Sequence, residues 1–226
     1  MHYFRTLVCL AAVLFFSACT VWDEPSDLTA RNLTVNAIQT IERFRNHKKL
    51  KEFSSLLETA RGVIILPSVI KAGFFAGGEA GNGVLLRRND DGSWGYPAFY
   101  TLGAASFGLQ FGVQDTAIVL IVRNGDALQS ILEYQGKLGA DTGATVGVVG
   151  VGLEASVTTN LGADIVAFAS SNVGAYLGAS LEGAVLAKRR DLNEAYYGPG
   201  ATPEAILAGQ LENPDADQLR QVLAGK

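Results

Sequence analysis

Ala117-Ile118-Val119-Leu120-Ile121-Val122 is an unbroken apolar run, preceded by Asp115-Thr116 and followed by Arg123-Asn124-Gly125. A short stretch rich in β-branched residues, closed by turn-forming ones, specifies a strand buried on both faces. Gly62-Val63-Ile64-Ile65-Leu66 repeats the pattern and is expected to end at Pro67. Asp164-Ile-Val-Ala-Phe-Ala-Ser170 supplies a third such run. Val84–Arg88 and Tyr96–Tyr100 flank Asn89-Asp90-Asp91-Gly92, which is turn chemistry, so strand, turn and strand follow one another. Ser106–Val113 alternates around Gly108 and Gly112.

Working outward, Leu33, Ala37, Ile41 and Phe44, then Phe53, Leu56 and Leu57, recur at three- and four-residue spacings. That is the apolar stripe of a helical segment, opened by Asp27 or Thr29 and reaching about Thr59. The polar stretch Asn46–Lys51 interrupts it, so one helix and two helices are both open. Asp126 is expected to cap a helix over Ala127–Tyr134. Thr142–Leu153 carries Gly143, Gly147, Gly150 and Gly152. It is too short to span a bilayer, and closely packed β or loop backbone is favoured over a membrane helix. A Ser171-Asn172 turn then leads into a hairpin strand within Val173–Ala187. Two short helices, Thr202–Ala208 and Pro214–Leu223, close the chain, the first opened by Thr202 before Pro203. The fold class expected is α+β: one compact domain with a curved or barrel-like, mostly antiparallel sheet, an N-terminal helical segment and short C-terminal helices. Its 26 glycines suggest strong curvature or barrel closure.

The N-terminus reads as a lipoprotein signal. Met1–Arg5 is short and basic, Thr6–Phe16 is apolar, and Ser17-Ala18 precedes Cys19. Residues 1–18 are therefore expected to be a signal peptide, with Cys19 the lipid anchor after cleavage. Residues 19–27 read as a tether containing Pro25, and residues 28–226 as the domain. Thr20, rather than an Asp, follows the Cys, which points to the outer membrane on its periplasmic face. An acyl chain contributes about 0.8 kcal/mol of membrane affinity per buried CH₂, so two or three chains hold such a protein firmly.

Charge and composition narrow the function. The net charge is −4, which argues against nucleic acid as a partner. The charge is uneven: Arg43, Arg45, Lys48, Lys49 and Lys51 stand against Glu42 and Glu52, while the chain beyond Arg190 is acidic. After cleavage the chain keeps one histidine, His47, and no free thiol, so nucleophilic triads have no partners and zinc no ligand set. Asn89–Gly92 lacks the spacing of a calcium loop. Gly77–Gly83 has no following Lys-Ser/Thr, and Gly147–Gly152 lacks the strand–loop–helix frame of a phosphate loop. Neither a cofactor, a metal nor an enzymatic activity is expected.

Several motifs, taken in order, resemble the SYLF domain family. They are Ala60-Arg-Gly-Val-Ile-Ile-Leu-Pro67, Lys71-Ala-Gly-Phe74, Gly81-Asn-Gly-Val84 and Trp94-Gly-Tyr-Pro-Ala-Phe99. Further along come Gly108-Leu-Gln-Phe-Gly112, Asp115, Gly174-Ala-Tyr-Leu-Gly-Ala-Ser-Leu-Glu-Gly183, Asn193–Gly198 and Thr202–Gln210. The resemblance implies lipid binding: eukaryotic members bind phosphoinositides, and the fungal branch also binds actin. It also implies that a basic N-terminal segment contributes to membrane contact, here Arg43–Lys51. A periplasmic location would put both actin and abundant phosphoinositides out of reach.

The function expected is therefore a membrane-anchored, non-catalytic lipoprotein whose domain binds anionic phospholipid head groups. Arg43, Arg45, Lys48, Lys49, Lys51 and, by its motif, Lys71 are the lipid-binding candidates. The alternative is a structural or scaffolding envelope protein that binds a protein partner. Burial of Trp94, Tyr96, Phe99 and Tyr100 favours the first, and a wide exposed patch of those rings the second.

Overall fold

A strand of 26 residues at about 3.3 Å per residue would be about 85 Å long, roughly twice the diameter of a domain of this size. The structure, a computed structural model, contains such a strand and resolves the conflict by doubling it back. It describes residues 24–133, 138, 145–150, 162–170, 181 and 183–225. Helix α1 is Ser26–Arg45 and α2 is Glu52–Thr59. Strands β1 (Gly62–Arg87) and β2 (Ala98–Val122) follow, then α3 (Gly125–Glu133), β3 (Val146–Gly150), β4 (Ile165–Ala169) and β5 (Val185–Lys188). Helices α4 (Arg190–Tyr197), α5 (Pro203–Leu207) and α6 (Asp217–Leu223) close the chain, with a 3₁₀ turn Pro214–Ala216 before α6.

β1 and β2 pair antiparallel along almost their whole length, from Gly62 opposite Val122 to Leu85 opposite Ala98. The ribbon folds over on itself where its register slips, between Gly73 and Phe75. Arg88 N–H donates to the Arg61 carbonyl at 2.9 Å, so the two ends of β1 meet. Near the bend, a side chain on Gly77 would lie 2.4 Å from the Ala72 carbonyl oxygen, and one on Gly81 would lie 2.3 Å from that of Ser68. Only glycine permits that backbone approach. β2 also pairs antiparallel with β4 and, at Tyr100–Gly103, with β5, while β3 runs parallel to β4. Taken segment by segment, the described residues form a mixed sheet of seven strands that is not closed into a barrel. The expected α+β class stands, with curvature achieved by the folded ribbon rather than by closure.

Several expectations need correction. Pro67 does not end the first strand: it sits within the register slip between Leu66 and Val69, a bulge where a missing N–H is tolerated. Asn124, not Asp126, caps α3, its Oδ1 accepting from Ala127 N–H at 2.8 Å. Helix α1 begins at Ser26, with neither Asp27 nor Thr29 at its cap position. The helical segment is two helices, broken at Asn46–Lys51. β5 pairs with β2, and most of the expected hairpin and strand over Val173–Ala187 lies outside the described residues. Helix α4 was not anticipated. The Ser171-Asn172 turn, Cys19 and the rest of residues 1–23 lie outside the described residues.

The core lies between the sheet and the helices. Phe44 of α1 and Phe53 of α2 meet at 5.5 Å between ring centroids, and Phe53 meets Phe168 of β4 edge-on at 5.2 Å. All three rings are at most 1 % exposed. Among the described residues no helix is long and apolar enough to cross a membrane.

Candidate functional site

Two helices turned at a sharp corner put the basic segment on the surface. The stripe Leu33–Ala37–Ile41–Phe44 faces inward, so Glu42 and Arg43 face out. At the corner, His47 N–H donates to the Phe44 carbonyl and Leu50 N–H to the His47 carbonyl. Leu50, 2 % exposed, is the plug that holds the loop down. Lys48, Lys49 and Lys51, on either side of it, are exposed. The interior takes the apolar residues of the segment, Phe44, Leu50 and Phe53, and water takes the cations.

Arg43 and Arg45 occupy the last turn of α1, where cations are favoured by the exposed carbonyls of the helix end. Among the described residues no ion pair involves Arg43, Arg45, Lys48, Lys49 or Lys51. Helix α2 starts at the same corner without a side-chain cap, its Phe53 N–H donating to the Leu50 carbonyl at 3.1 Å. An exposed cluster of cations unneutralised by acids is suited to an anionic surface, where each cation contributes about 1 kcal/mol.

The structure divides the six candidates. Arg43, Lys48, Lys49 and Lys51 share the exposed corner. Arg45 is only half-buried beside them, and its Nη2 donates to the Leu223 carbonyl at 2.9 Å, tying α1 to the end of α6. Lys71 stands apart on β1, its Nζ 2.9 Å from Oε1 of Glu79, a carboxylate 5 % exposed. The pair spans the fold of the ribbon, since both partners belong to the one strand. Sequence reasoning missed both ties. The Arg45–Leu223 partners lie 178 positions apart, and no local pattern signals such a contact.

The four aromatic residues that separate the two readings are buried: Trp94 is 1 %, Tyr96 8 %, Phe99 0 % and Tyr100 2 % exposed. They serve the core and the C-terminal packing. The Arg220 guanidinium lies 4.1 Å over the Tyr96 ring, and its Nε donates to the Trp94 carbonyl at 2.7 Å. Among the described residues no cluster of His, Cys, Asp or Glu has a metal-binding arrangement.

Comparison with known proteins places this architecture. The family model Ysc84, described as "Las17-binding protein actin regulator", matches residues 103–226, more than half of the chain. LAS seventeen-binding protein 3 of Saccharomyces cerevisiae is 33 % identical over 174 residues, covering 76 % of this chain and 38 % of the relative. Protein YSC84 of the same yeast is 33 % identical over 174 residues, covering 76 % of this chain and 37 % of its own length. The human SH3 domain-containing YSC84-like protein 1 is 29 % identical over 170 residues, covering 74 % of this chain and 49 % of the relative. The chain thus spans less than half the length of these relatives.

Proposed function

Because the chain belongs to the Ysc84/SYLF family, we propose that it is a non-catalytic, membrane-tethered module that binds anionic phospholipid head groups. The observation that carries this reading is the exposed corner of Arg43, Lys48, Lys49 and Lys51, with its apolar neighbours turned inward and no ion pair on it among the described residues. The contact is one of charge at the head-group level, because Phe44 and Phe53 are committed to the core. Arg45 supports it by fixing the end of α1, and Lys71 is not part of it.

In this reading the tether is a thioether-linked lipid on Cys19, and the protein sits on the periplasmic face of the outer membrane. The anchor supplies the affinity and the corner supplies the orientation. Mass spectrometry of the native N-terminus tests the anchor. Flotation of the full chain carrying Cys19→Ser with anionic vesicles tests the corner.

A protein partner is the second reading, favoured by the name of LAS seventeen-binding protein 3 and by the family description "Las17-binding protein actin regulator". It predicts capture at a surface independent of lipid. The burial of Trp94, Tyr96, Phe99 and Tyr100 leaves those rings unable to provide it.

A further inference from the structure

One hydrogen bond at the basic corner depends on the protonation of a side chain. His47 is half-buried in the turn between α1 and α2, and its Nδ1 accepts from the Lys49 N–H at 3.3 Å. A ring nitrogen that accepts carries no proton, so the imidazole is neutral here, with its hydrogen on Nε2. A side chain that holds the N–H two residues on makes the bond of an Asx turn, supplied by an imidazole instead of a carboxamide. A proton on Nδ1 breaks it. The backbone bonds of the turn do not titrate: the His47 N–H donates to the Phe44 carbonyl at 3.2 Å and the Leu50 N–H to the His47 carbonyl at 3.0 Å.

The charges around this ring are mostly of one sign. Arg43 and Arg45 end α1, and Lys48, Lys49 and Lys51 follow in the turn, against Glu42 and Glu52 at its margins. Helix α6, tied to this end of α1 by the bond from Arg45 to Leu223, brings Asp217 and Arg220, which pair with one another at 2.8 Å. β4, which packs Phe168 on Phe53, carries no charged residue from Ile165 to Ala169. Among the described residues no ion pair joins His47 to an acid. A proton on His47 therefore adds to an excess of positive charge, and an anionic surface opposite the corner favours that proton.

We propose that His47 is a pH switch on the basic corner: protonation adds a cation beside Arg43, Lys48, Lys49 and Lys51 and releases the Lys49 amide, so that the domain holds an anionic bilayer more tightly in mild acid than above neutrality. The proposal rests on the lipid-binding reading and adds regulation to it. Imidazole is the side chain whose charge ordinarily changes between pH 5 and 8, and one more cation near an anionic surface strengthens binding about fivefold. The corner keeps its shape through the change, because Leu50, 2 % exposed, and the two backbone bonds hold it.

The test is flotation of the full chain carrying Cys19→Ser and His2→Gln, which leaves His47 as its only imidazole. Vesicles of phosphatidylglycerol and phosphatidylcholine are used at low salt, from about pH 5.5 to about pH 8. Two substitutions fix the switch. His47→Asn keeps an acceptor for the Lys49 N–H and carries no charge, while His47→Lys is a permanent cation with no acceptor. The parent is expected to bind about fivefold more tightly at the acid end, matching His47→Lys there and His47→Asn at the alkaline end, with both variants nearly flat across the range. Salt-sensitive binding of the parent that does not change with pH overturns this inference and leaves the basic corner standing. A pH dependence retained in His47→Asn overturns it too, by placing the titration elsewhere, as does His47→Lys binding no better than His47→Asn at the alkaline end. Absence of binding at every pH overturns the lipid-binding reading and this inference with it.

Discussion

The side-chain amide of Asn193 pairs reciprocally with the backbone of Phe99. Its Nδ2 donates to the Phe99 carbonyl at 3.0 Å and its Oδ1 accepts from the Phe99 N–H at 3.0 Å. Nδ2 also donates to the Arg189 carbonyl at 2.7 Å, and Asn193 is fully buried. The amide thus stands in for a strand at the start of β2 and fastens α4 there, with the Phe99 ring edge-on to Tyr196 at 5.1 Å. Removing it strands the Phe99 N–H at about 1–3 kcal/mol, while the Phe99 carbonyl keeps the bond it accepts from the Arg189 N–H at 3.0 Å. Asn193→Ala is expected to lower the urea midpoint by the equivalent of about 1–3 kcal/mol with the slope unchanged.

The doubled ribbon makes a sharp prediction about glycine. A Cβ at Gly81 would sit 2.3 Å from the Ser68 carbonyl oxygen and 2.9 Å from the Val69 Cα, both backbone atoms that cannot rotate away. A Cβ at Gly103 would meet nothing within 4 Å. Gly81→Ala is expected to destabilise by about 1–3 kcal/mol, the usual cost of overpacking. Gly103→Ala is expected to be close to neutral in the same thermal melt.

Acid stability is expected to depend on Asp164. The N–H of Thr145 donates to its carboxylate at 3.0 Å, the Thr145 hydroxyl at 2.8 Å and the Asn124 amide at 2.7 Å. These bonds, that from the Thr145 N–H first, hold the carboxyl below its ordinary range. A carboxylate depressed in the folded state contributes stability above its unfolded pKa and loses it as the pH falls through the folded one. The difference in stability between the native chain and Asp164→Asn is therefore expected to be largest near neutrality and to shrink below about pH 4. A difference that stays constant down to strong acid would assign the loss to packing instead.

Arg45 and its lysine neighbours are expected to separate by experiment. Arg45→Ala removes the bond to the Leu223 carbonyl and should lower stability by about 1.5–3 kcal/mol, the worth of a hydrogen bond to a charged group. Lys48→Glu/Lys49→Glu/Lys51→Glu changes exposed charges only and should leave the melting temperature nearly unchanged.

Much of this architecture could be read from the chain, because burial leaves a pattern where side chains are large. Ala117–Val122 and Gly62–Leu66 are paired, buried strand segments. Phe44 and Phe53 are core, and Thr202 caps α5 by accepting from Ala205 N–H at 3.3 Å. The continuity of β1 and β2 was not readable, because glycines between residues 73 and 83 and between 103 and 112 carry no side chain to show alternation. Helix α4 was hidden for a different reason. Its buried face is Leu192, Asn193 and Tyr196, and a buried Asn breaks the apolar stripe that announces a helix. The basic segment was visible as charge. Which of its members are exposed, and which hold the fold together, depends on contacts from the far end of the chain and from across the ribbon.

The central claim is that the corner at Lys48, Lys49 and Lys51 senses anionic lipid. Its most direct test is vesicle flotation of the Cys19→Ser chain with and without the three Lys→Glu changes, at low salt and in molar salt. Binding of the parent to anionic vesicles at low salt, weakened by salt and lost with the reversed charges, is the predicted result. Equal binding of the two proteins, or binding that ignores both salt and lipid charge, would contradict it.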